Sequence, residues 1–536
     1  LERAGHFFRG RSDTEVLLHL YMVYGEGMLE KLNGMFAIAV YDRRQRTILL
    51  GRDRMGKKPL FYWIHDGGLA FASELRALRA LPGFPSGTDP LALALYLRLG
   101  WIPGWTCIHP GVAKLPPATW LRYQVQTGGV DGPHAYWDLP KIHLDEGIPV
   151  DSWLDRIQEK LWDATRIRLR SDVPLGTFLS GGIDSSLVTA AAAGYDARNL
   201  TAMTISFPGW ADNEWPLAEA TAKHLGVHAV HRELDADSAS LLPRVMGHFD
   251  EPFADSSALP TALICQTARE EMTVALSGDG GDELFAGYEN HVRALSWAEL
   301  DRVSSGPAKS IANALACMAP PDSRSRRFLR RFGYPVATLG LGGKLYPFED
   351  WLDDCIADEY RLTHSETGRL LTEHMVEWEG SHPLDRAQRT DMRLYMADDI
   401  LVKVDRMSMR HSLEVRSPFL DYRMVELALR IPPELRVHGG QNKYLLRLLA
   451  GRHVPKEVVA APKRGFGIPL RQWLFASKST TWLKEVATMQ PTTPLDPLRP
   501  GGGKLLWDKA ERNPALVPAL FRILSYRWWQ QATGAM

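Results

Sequence analysis

One short run of residues limits the possible fold and function of this chain more than any other feature. It reads Leu179-Ser180-Gly181-Gly182-Ile183-Asp184-Ser185-Ser186 and lies between a short apolar stretch and a helical pattern. The amino end of a helix has unpaired N–H groups and a partial positive charge, so it attracts phosphate. Two adjacent glycines let the backbone approach an anion closely, and the serines add hydroxyl donors. The run therefore predicts a phosphate-binding loop at a strand-to-helix junction.

The aspartate in this run indicates which form of phosphate the loop binds. Asp184 would repel a bare phosphate group, so we expect it to bind Mg²⁺ that in turn binds phosphate. No lysine follows the glycines, which separates the run from the GxxxxGKS/T phosphate loop. A glycine turn that only caps a helix is the alternative for a lone Ser-Gly-Gly. The whole run at this junction favours phosphate binding.

A second glycine-rich run reads Ser277-Gly278-Asp279-Gly280-Gly281-Asp282-Glu283 and follows strand-like residues 273–276. In an open parallel sheet, ligands bind at the carboxyl ends of the strands. We therefore expect both runs at one edge of one sheet, where Asp184 and Asp282 bind Mg²⁺ between protein and phosphate. A solvated acidic turn is the alternative, but it accounts for one such run better than for two.

The apolar pattern predicts an α/β chain in two parts. Residues 1–125 combine a helical pattern at 13–32 with strand patterns at 35–41, 47–50 and 69–73, which indicates an α+β domain with an antiparallel sheet. From about residue 150, strand patterns at 177–179, 201–207, 227–234 and 273–276 alternate with helices, which predicts a parallel sheet. The Gly- and Pro-rich residues 127–133 favour a linker and a boundary near residue 135. Beyond about residue 290 the pattern is mostly helical.

Composition argues against two classes of partner. Lys+Arg and Asp+Glu are both 63, so the balanced charge gives no bulk attraction to nucleic acid or to anionic membranes. No apolar run reaches the roughly 18 residues of a membrane span, so we expect no membrane and no nucleic-acid partner. The arginine-rich residues 324–331 fit a solvated helix face better than an RNA site. Four separated cysteines favour reduced thiols and predict a cytoplasmic location.

Beyond the two loops, further ordered motifs make the chain resemble the glutamine-hydrolysing asparagine synthetase family. They are DEPFAD (250–255), KVDRMSM (403–409), SLEVRSPFLD (412–421), KYLLR (443–447) and PKRGFGIP (462–469). The earlier segments RSDTE (11–15), LNGMFA (32–37) and RDRMGKKPL (52–60) are similar to that family's glutaminase domain. The resemblance implies a truncated α+β N-terminal nucleophile (glutaminase-type) domain at 1–130. A parallel-sheet ATP pyrophosphatase domain with a helical C-terminal part would follow at 150–536.

The resemblance also implies the reaction and the residues that perform it. We expect ATP-dependent conversion of aspartate to asparagine through an acyl-adenylate, with AMP and pyrophosphate released and with ATP and Mg²⁺ as cofactors. Lys443 would neutralise phosphate charge, Asp279 would orient ammonia or remove its proton, and Asp13 would bind the amino group of glutamine. The metal ligands would be Asp184 and Asp282. The nucleotide would contact Leu179, Ser180, Gly181, Gly182, Asp184, Ser185, Ser186, Ile205, Ser277 and Gly278.

One departure from the family concerns the nitrogen donor. The family's glutaminase uses an N-terminal cysteine as nucleophile, whereas the first cysteine here is Cys107. No nearby group in this chain replaces a thiolate. We therefore expect that the sequence is incomplete at its N-terminus. Ammonia would be the nitrogen source for this chain and glutamine for a full-length one. A homodimer is a further expectation.

Several alternatives remain open from the sequence. Another carboxylate, such as a sugar acid or a peptide, suits the same loops, because the loops contact ATP and not the acceptor. A tRNA-modifying thiolase would be expected to have a basic surface and paired cysteines. A non-catalytic scaffold would be expected to have lost the acidic residues and the lysine. Asp250 and Glu251 are weaker candidates for nucleotide or substrate contacts. A substrate pocket and a buried ion-pair network are equally good interpretations of Asp405, Arg406, Glu414, Arg416 and Asp421.

Overall fold

A computed structural model of the protein describes residues 1–141, 144–206, 213–234, 240–303, 306–319, 324–330, 354–362, 364–374, 382–462, 468, 470–475, 480–490 and 496–534. Of the segments singled out above, Phe207, Arg331, residues 463–467 and Pro469 lie outside the described residues. The chain divides into two compact units, one of Leu1–Gly87 with Gly104–Pro140, the other of Thr88–Pro103 with Lys141–Met536.

The first unit contains antiparallel strands, as the closely spaced strand patterns predicted. Its strands are β1 (Ala37–Asp42), β2 (Thr47–Arg52), β3 (Phe61–His65), β4 (Gly68–Ala72), β5 (Val112–Lys114), β6 (Thr119–Gln124) and β7 (Val130–Ala135). One sheet has the order β1-β2-β6-β7 and a smaller sheet has the order β4-β3-β5. Leu50, Leu60 and Leu121 belong to the buried cluster that these strands form.

Two local predictions in the first unit were wrong for physical reasons. The helix predicted at 13–32 ends earlier, because Gly25 has a φ of 55° and a 3-10 helix, Gly25–Lys31, follows it. The linker predicted at 127–133 partly forms β7, which pairs with β6 through its backbone. Every residue of β7 is exposed, so no apolar alternation marks it as a strand.

The second unit is built on a five-stranded parallel sheet, which confirms the predicted α/β class. Its strands are β8 (Leu175–Phe178), β9 (Thr201–Ser206), β10 (His228–Glu233), β11 (Val274–Leu276) and β12 (Glu414–Arg416). They lie in the order β10-β9-β8-β11-β12, and each neighbouring pair is parallel. Because β8 and β11 are neighbours, the two glycine-rich runs leave adjacent strands at the same edge of the sheet.

Helices account for most of the remaining described structure. In the first unit they are α1 (Asp13–Tyr24) and α2 (Leu75–Arg79). In the second unit they are α3 (Pro90–Leu99), α4 (Val150–Arg168), α5 (Ile183–Asp196), α6 (Trp215–Leu225), α7 (Leu242–Met246), α8 (Ala258–Glu271), α9 (Gly281–Leu284), α10 (Glu289–Val303), α11 (Gly306–Met318), α12 (Arg324–Arg330), α13 (His364–Glu373), α14 (Pro383–Thr390), α15 (Leu401–Arg410), α16 (Tyr422–Ala428), α17 (Pro433–Arg436), α18 (Tyr444–Ala450), α19 (Lys456–Ala460), α20 (Leu470–Phe475), α21 (Thr480–Thr488), α22 (Gly502–Arg512) and α23 (Val517–Thr533). A π-helix, Asp391–Ile400, joins α14 to α15. Within the described ranges, no helix combines the length and apolarity needed to span a bilayer.

Helix α3 belongs to the second unit although it lies within the range 1–130 predicted for the first domain, and those domain ranges stay a prediction. Its carboxyl end is tied to α23 by Arg522, whose Nη1 donates to the carbonyl oxygens of Leu97 and Arg98 at 2.7 Å each. The hydroxyl of Tyr96 donates back to the Arg522 carbonyl at 2.7 Å. The buried guanidinium therefore satisfies helix-end carbonyls that have no partner within α3.

Replacing Arg522 with Met should destabilise the second unit. The substitution keeps an apolar stem but leaves two buried carbonyl groups unsatisfied, at a cost of about 1–3 kcal/mol each. We expect the thermal unfolding midpoint of the Arg522→Met variant to fall by a few degrees. The exposed Arg512 on α22 gives the matched control, Arg512→Met, which should unfold like the wild type. Equal midpoints for both variants would show that Arg522 does not anchor α3.

Candidate functional site

A cavity of ≈ 510 Å³ in the second unit contains most of the residues that the sequence predicted for the site. It lies where the two glycine-rich runs leave β8 and β11. The predicted residues that line it are Leu179, Ser180, Gly181, Gly182, Asp184, Ser185, Ile205, Ser277, Gly278, Asp279, Asp282 and Lys443. These residues come from distant parts of the chain, so the fold brings together groups that the sequence related only through motifs.

Two predicted residues are placed elsewhere. Ser186 is fully buried and does not belong to the cavity lining, because one residue further along α5 turns the side chain about 100° away from that of Ser185. Asp13 begins α1 of the first unit and is exposed, and its Oδ1 accepts from the hydroxyl of Thr14 at 3.3 Å. The proposed role of Asp13 in glutamine binding stays a prediction.

The first loop is held in shape by its own hydroxyl groups. The Ser180 backbone N–H donates to Ser185 Oγ at 3.0 Å, and the two serine Oγ atoms are 2.9 Å apart. The Gly182 N–H donates to Ser180 Oγ at 3.1 Å. Helix α5 starts at Ile183, so its positive end is directed toward the same loop. The arrangement is that of a preformed anion site at a helix N-terminus.

The two loops touch each other through glycines. A Cβ atom added to Gly278 would lie 2.8 Å from the backbone nitrogen of Ser185 and 2.9 Å from Asp184 Cβ. A Cβ atom on Gly281 would lie 2.6 Å from Asp184 Cγ. Real Cβ atoms do not approach other atoms this closely, so any larger residue would push the loops apart. Glycine at these positions is what allows Asp184 and the second loop to be neighbours.

Lys443 connects the two loops electrostatically. Its Nζ forms an ion pair with Asp282 Oδ1 at 2.6 Å and a second, shorter one with Asp184 Oδ2. Lys443 stands just before α18 with a φ of 53°, which is unusual for a residue with a side chain. Burial opposes the charge on Lys443, but the two carboxylates outweigh burial and raise the pKa of the ammonium above its ordinary value. Asp184 and Asp282 therefore lie within reach of one cation.

The donor atoms around this point fit a hard divalent ion. The described residues include no group of three or more His, Cys, Asp or Glu side chains placed to hold a metal. Two carboxylates on one point nevertheless match Mg²⁺, which commonly takes one or two protein carboxylates and fills its other positions with phosphate oxygens and water.

A second set of polar residues lines the cavity without a role assigned from the sequence motifs. Lys403 on α15 donates from Nζ to Asp255 Oδ2 at 2.9 Å and to Ser257 Oγ at 2.7 Å. Tyr288 donates its hydroxyl to Glu283 Oε1 at 2.6 Å, and both line the cavity. Lys403 and Asp255 stand in the 403–409 and 250–255 motifs, so the signal was present, but those motifs name no role for them.

Four of the five charged residues with two open interpretations form ion pairs, and one of these pairs includes Asp250. Arg406 pairs with Asp250 in the interior. Asp421 is fully buried and pairs with Arg168 and Arg423, each at 2.9 Å. Glu414 pairs with Arg416 at 2.6 Å. Asp250, Glu251, Asp405, Arg406, Glu414, Arg416 and Asp421 are outside the cavity lining, which favours the ion-pair interpretation.

The chain is similar to known proteins along most of its length. Residues 156–531 match the family model described as asparagine synthase, and residues 1–137 match the one described as glutamine amidotransferase domain. A protein of Bacillus subtilis named asparagine synthetase 1, glutamine-hydrolyzing, is 32% identical over 489 residues, which are 91% of this chain and 76% of that protein. Asparagine synthetase 3 of the same organism is 30% identical over 490 residues, with 86% and 72% covered. Amidase chry2 of Gibberella zeae is 28% identical over 512 residues, with 87% and 74% covered.

Glu283 should make stability depend on pH. Burial, reinforced by the Asp282 carboxylate, raises the pKa of Glu283 to about 7. Its stabilising contribution is then complete below about pH 4.5 and is lost as pH rises toward 7, because the folded protein resists ionisation. We expect wild type to lose up to about 3 kcal/mol relative to Glu283→Gln over this range. Unfolding measured from pH 5 to 8 checks this, and a difference that does not vary with pH would contradict it.

Proposed function

Because the chain belongs to the asparagine synthase family, we propose that it is an ATP-dependent ligase that converts aspartate to asparagine, with AMP and pyrophosphate as the other products. The observation that supports this most directly is the contact of Asp184 and Asp282, one from each glycine-rich loop, with the single ammonium of Lys443. Two touching loops that share one cation at the edge of a cavity suit a nucleoside triphosphate, whose charge must be neutralised from several sides.

The proposed reaction has two steps. An oxygen of the aspartate side-chain carboxylate attacks the α-phosphorus of ATP, the bond to the bridging oxygen of the β-phosphate breaks, and pyrophosphate leaves. Ammonia then attacks the acyl carbon of the adenylate, AMP leaves with the bonding electron pair, and the new amide nitrogen loses a proton. The first step makes a poor acyl donor reactive, and the second forms the carbon–nitrogen bond.

We assign the pyrophosphate to the first loop. Ser180, Gly181, Gly182 and Ser185 line the cavity beside the amino end of α5, where backbone N–H groups and the helix dipole favour an anion. Leu179, Ile205, Ser277 and Gly278 line the same cavity and would contact the rest of the nucleotide. Ser186 is buried behind this surface and would act through packing.

Asp184 and Asp282 would hold Mg²⁺, which supplies positive charge at the phosphate oxygens when it is bound. Lys443 supplies a second positive charge at the same place, and its raised pKa keeps it protonated at neutral pH. The ammonium pairs with the two carboxylates here and would pair with phosphate oxygens when ATP is bound. Each carboxylate then keeps a cationic partner throughout.

Asp279 is the residue that we propose for handling ammonia. It lines the cavity beside the second loop, and its Oδ2 accepts a hydrogen bond from Ser277 Oγ at 2.7 Å. Ser277 in turn lies 2.9 Å from Ser417 Oγ, which fixes the orientation of the carboxylate. An oriented carboxylate can bind ammonium and accept a proton as the amide forms.

A second acceptor remains a candidate because of one comparison. The loops contact ATP and not the acceptor, and the similar Gibberella zeae protein is named an amidase and not an asparagine synthetase. A different carboxylate would leave the assignments above unchanged. A non-catalytic scaffold is a weaker candidate, because Asp184, Asp282 and Lys443 are all present and converge. A cytoplasmic location and a homodimer stay predictions.

Pyrophosphate release tests the proposed reaction directly. We expect the protein to release pyrophosphate when given ATP, Mg²⁺, ammonium and aspartate, and to release little without the acceptor. A panel of sugar acids and peptides in place of aspartate tests the second candidate. If no pyrophosphate were released with aspartate but pyrophosphate were released with another carboxylate, the assignment of aspartate as acceptor would be overturned.

Lys443→Met should abolish most of this activity while the protein stays folded. Removing one preorganised charge from a site of this kind costs roughly 100- to 1000-fold in kcat. Lys504→Met, at an exposed lysine on α22, is the matched control and should have wild-type activity. A Lys443→Met enzyme with a kcat within a few-fold of wild type would remove Lys443 from the reaction.

A further inference from the structure

The proposed function requires a second recognition element that the glycine loops do not supply. The loops and Lys443 are assigned to the phosphates of ATP, so the acceptor needs a further polar group in the same cavity. The candidate is the Lys403 cluster, which we define as Asp255, Ser257 and Lys403. All three residues line the same cavity as the loops.

Hydrogen bonds connect all three residues of the Lys403 cluster. Ser257 donates from its backbone N–H and from Oγ to Asp255 Oδ1, each at 2.9 Å. Lys403 Nζ donates to Asp255 Oδ2 at 2.9 Å and to Ser257 Oγ at 2.7 Å. Burial opposes the charge on Lys403, but Asp255 and Asp399 outweigh burial and raise its pKa, so the lysine is charged at neutral pH.

An ammonium group has three N–H donors. Among the described residues, Lys403 uses two of them, on Asp255 and Ser257, which leaves one donor for a ligand in the cavity. A purely structural ion pair would not require a site inside the cavity. The position of the lysine there points to a ligand carrying an anionic group.

The other cations of the cavity are committed elsewhere. The described residues that line it include three basic side chains, Lys403, Lys443 and Arg447. Lys443 is paired with the two loop carboxylates. Arg447 donates to the carbonyl oxygens of Asn442 and Val459, at 3.1 and 2.6 Å, and to Asn442 Oδ1 at 3.4 Å. Lys403 is therefore the cation best placed for an acceptor.

We propose that Lys403 binds the α-carboxylate of the acceptor amino acid, an inference that rests on the proposed function. It makes Lys403 a residue that determines acceptor specificity, separate from the residues assigned to ATP. Its partner Asp255 holds the ammonium in place, and Ser257 fixes Asp255.

The charge of the cavity indicates what else the acceptor carries. Six acidic side chains, from Asp184, Glu214, Asp255, Asp279, Asp282 and Glu283, line it beside the three basic ones. This surplus of negative charge disfavours an acceptor with a second carboxylate alone. It favours an acceptor in which an ammonium group stands next to that second carboxylate. An amino acid, with an α-ammonium beside the α-carboxylate, satisfies both requirements. A dicarboxylate without the ammonium satisfies one.

Two aspartate analogues separate these contributions. β-Alanine is aspartate without its α-carboxylate, and succinate is aspartate without its α-ammonium. We would measure binding of all three by calorimetry, to wild type saturated with α,β-methylene ATP and Mg²⁺, and to Lys403→Met and Lys223→Met. Lys223 is an exposed lysine on α6 whose side chain is 74% accessible, so Lys223→Met is the matched control.

Lys403→Met should weaken aspartate binding roughly 10- to 100-fold, as expected for one hydrogen bond between charged groups. It should change β-alanine binding by less than about threefold, because β-alanine has no group for Lys403 to bind. Lys403→Arg should recover part of the loss, and Lys223→Met should match wild type. A structural role would weaken aspartate and β-alanine equally, and that outcome would overturn the proposal.

The same measurements separate this inference from the proposed function. Wild type that binds aspartate through Lys403 but releases no pyrophosphate with it would support the inference and contradict the proposed reaction. If wild type releases pyrophosphate with aspartate and Lys403→Met binds aspartate as tightly as wild type, the proposed reaction is supported and the inference about Lys403 is contradicted. Wild type that does not bind aspartate at all would overturn the inference.

Discussion

The ion pairs between Lys443 and the carboxylates of Asp184 and Asp282 are the interaction on which the site depends. Asp184 belongs to the first loop, Asp282 belongs to the second loop, and Lys443 directly precedes α18. A single ammonium therefore joins three segments of the chain. Charges that are largely removed from solvent are costly unless each has a partner, and two aspartates close together would repel each other without a cation. The surrounding glycines make the contact possible, since a side chain at Gly287 would overlap both Asp282 and Lys443.

The parallel sheet explains why these groups meet. Adjacent parallel strands deliver the residues that follow them to one edge, and β8 and β11 are adjacent. The first loop then opens into α5, whose positive end favours phosphate, while the second loop contributes carboxylates that favour a cation. One loop favours an anion and the other favours a cation, so a phosphate chain and a cation can lie side by side at this edge of the sheet.

The two loops and their meeting at one edge of one sheet were predicted from the sequence, but their direct contact and their shared pairing with Lys443 were not. The two loops were predicted from glycines and acids at strand ends. Their contact through Gly278 depends on the strand order, in which β11 is inserted next to β8, and no residue pattern specifies that order. Lys443 lies 259 residues from Asp184, so spacing could not join them, and only its motif singled it out. Ser186 was grouped with Ser185 by composition, whereas helical geometry turns it into the interior.

The fold was predictable to a similar degree and for related reasons. Alternating strands and helices gave the parallel sheet, because apolar periodicity is a local signal. The exposed strand β7 has no such signal, and helix α3 joins the second unit through Arg522, more than 400 residues away along the chain. Lys403 and Asp255 were visible as motif residues, but their shared position in the cavity required the packing of α8 against α15.

The shared cation is tested most directly by Mn²⁺ binding, followed by electron paramagnetic resonance in the presence of α,β-methylene ATP. Asp184→Asn and Asp282→Asn should each weaken Mn²⁺ binding by at least roughly 10-fold, since both carboxylates would hold the same ion. In a separate measurement without nucleotide, Lys443→Met should not weaken Mn²⁺ binding, because the substitution removes an ammonium that competes with Mn²⁺ for the two carboxylates. Wild-type Mn²⁺ affinity in either aspartate variant would contradict the account, because the two loops would then not share one ion.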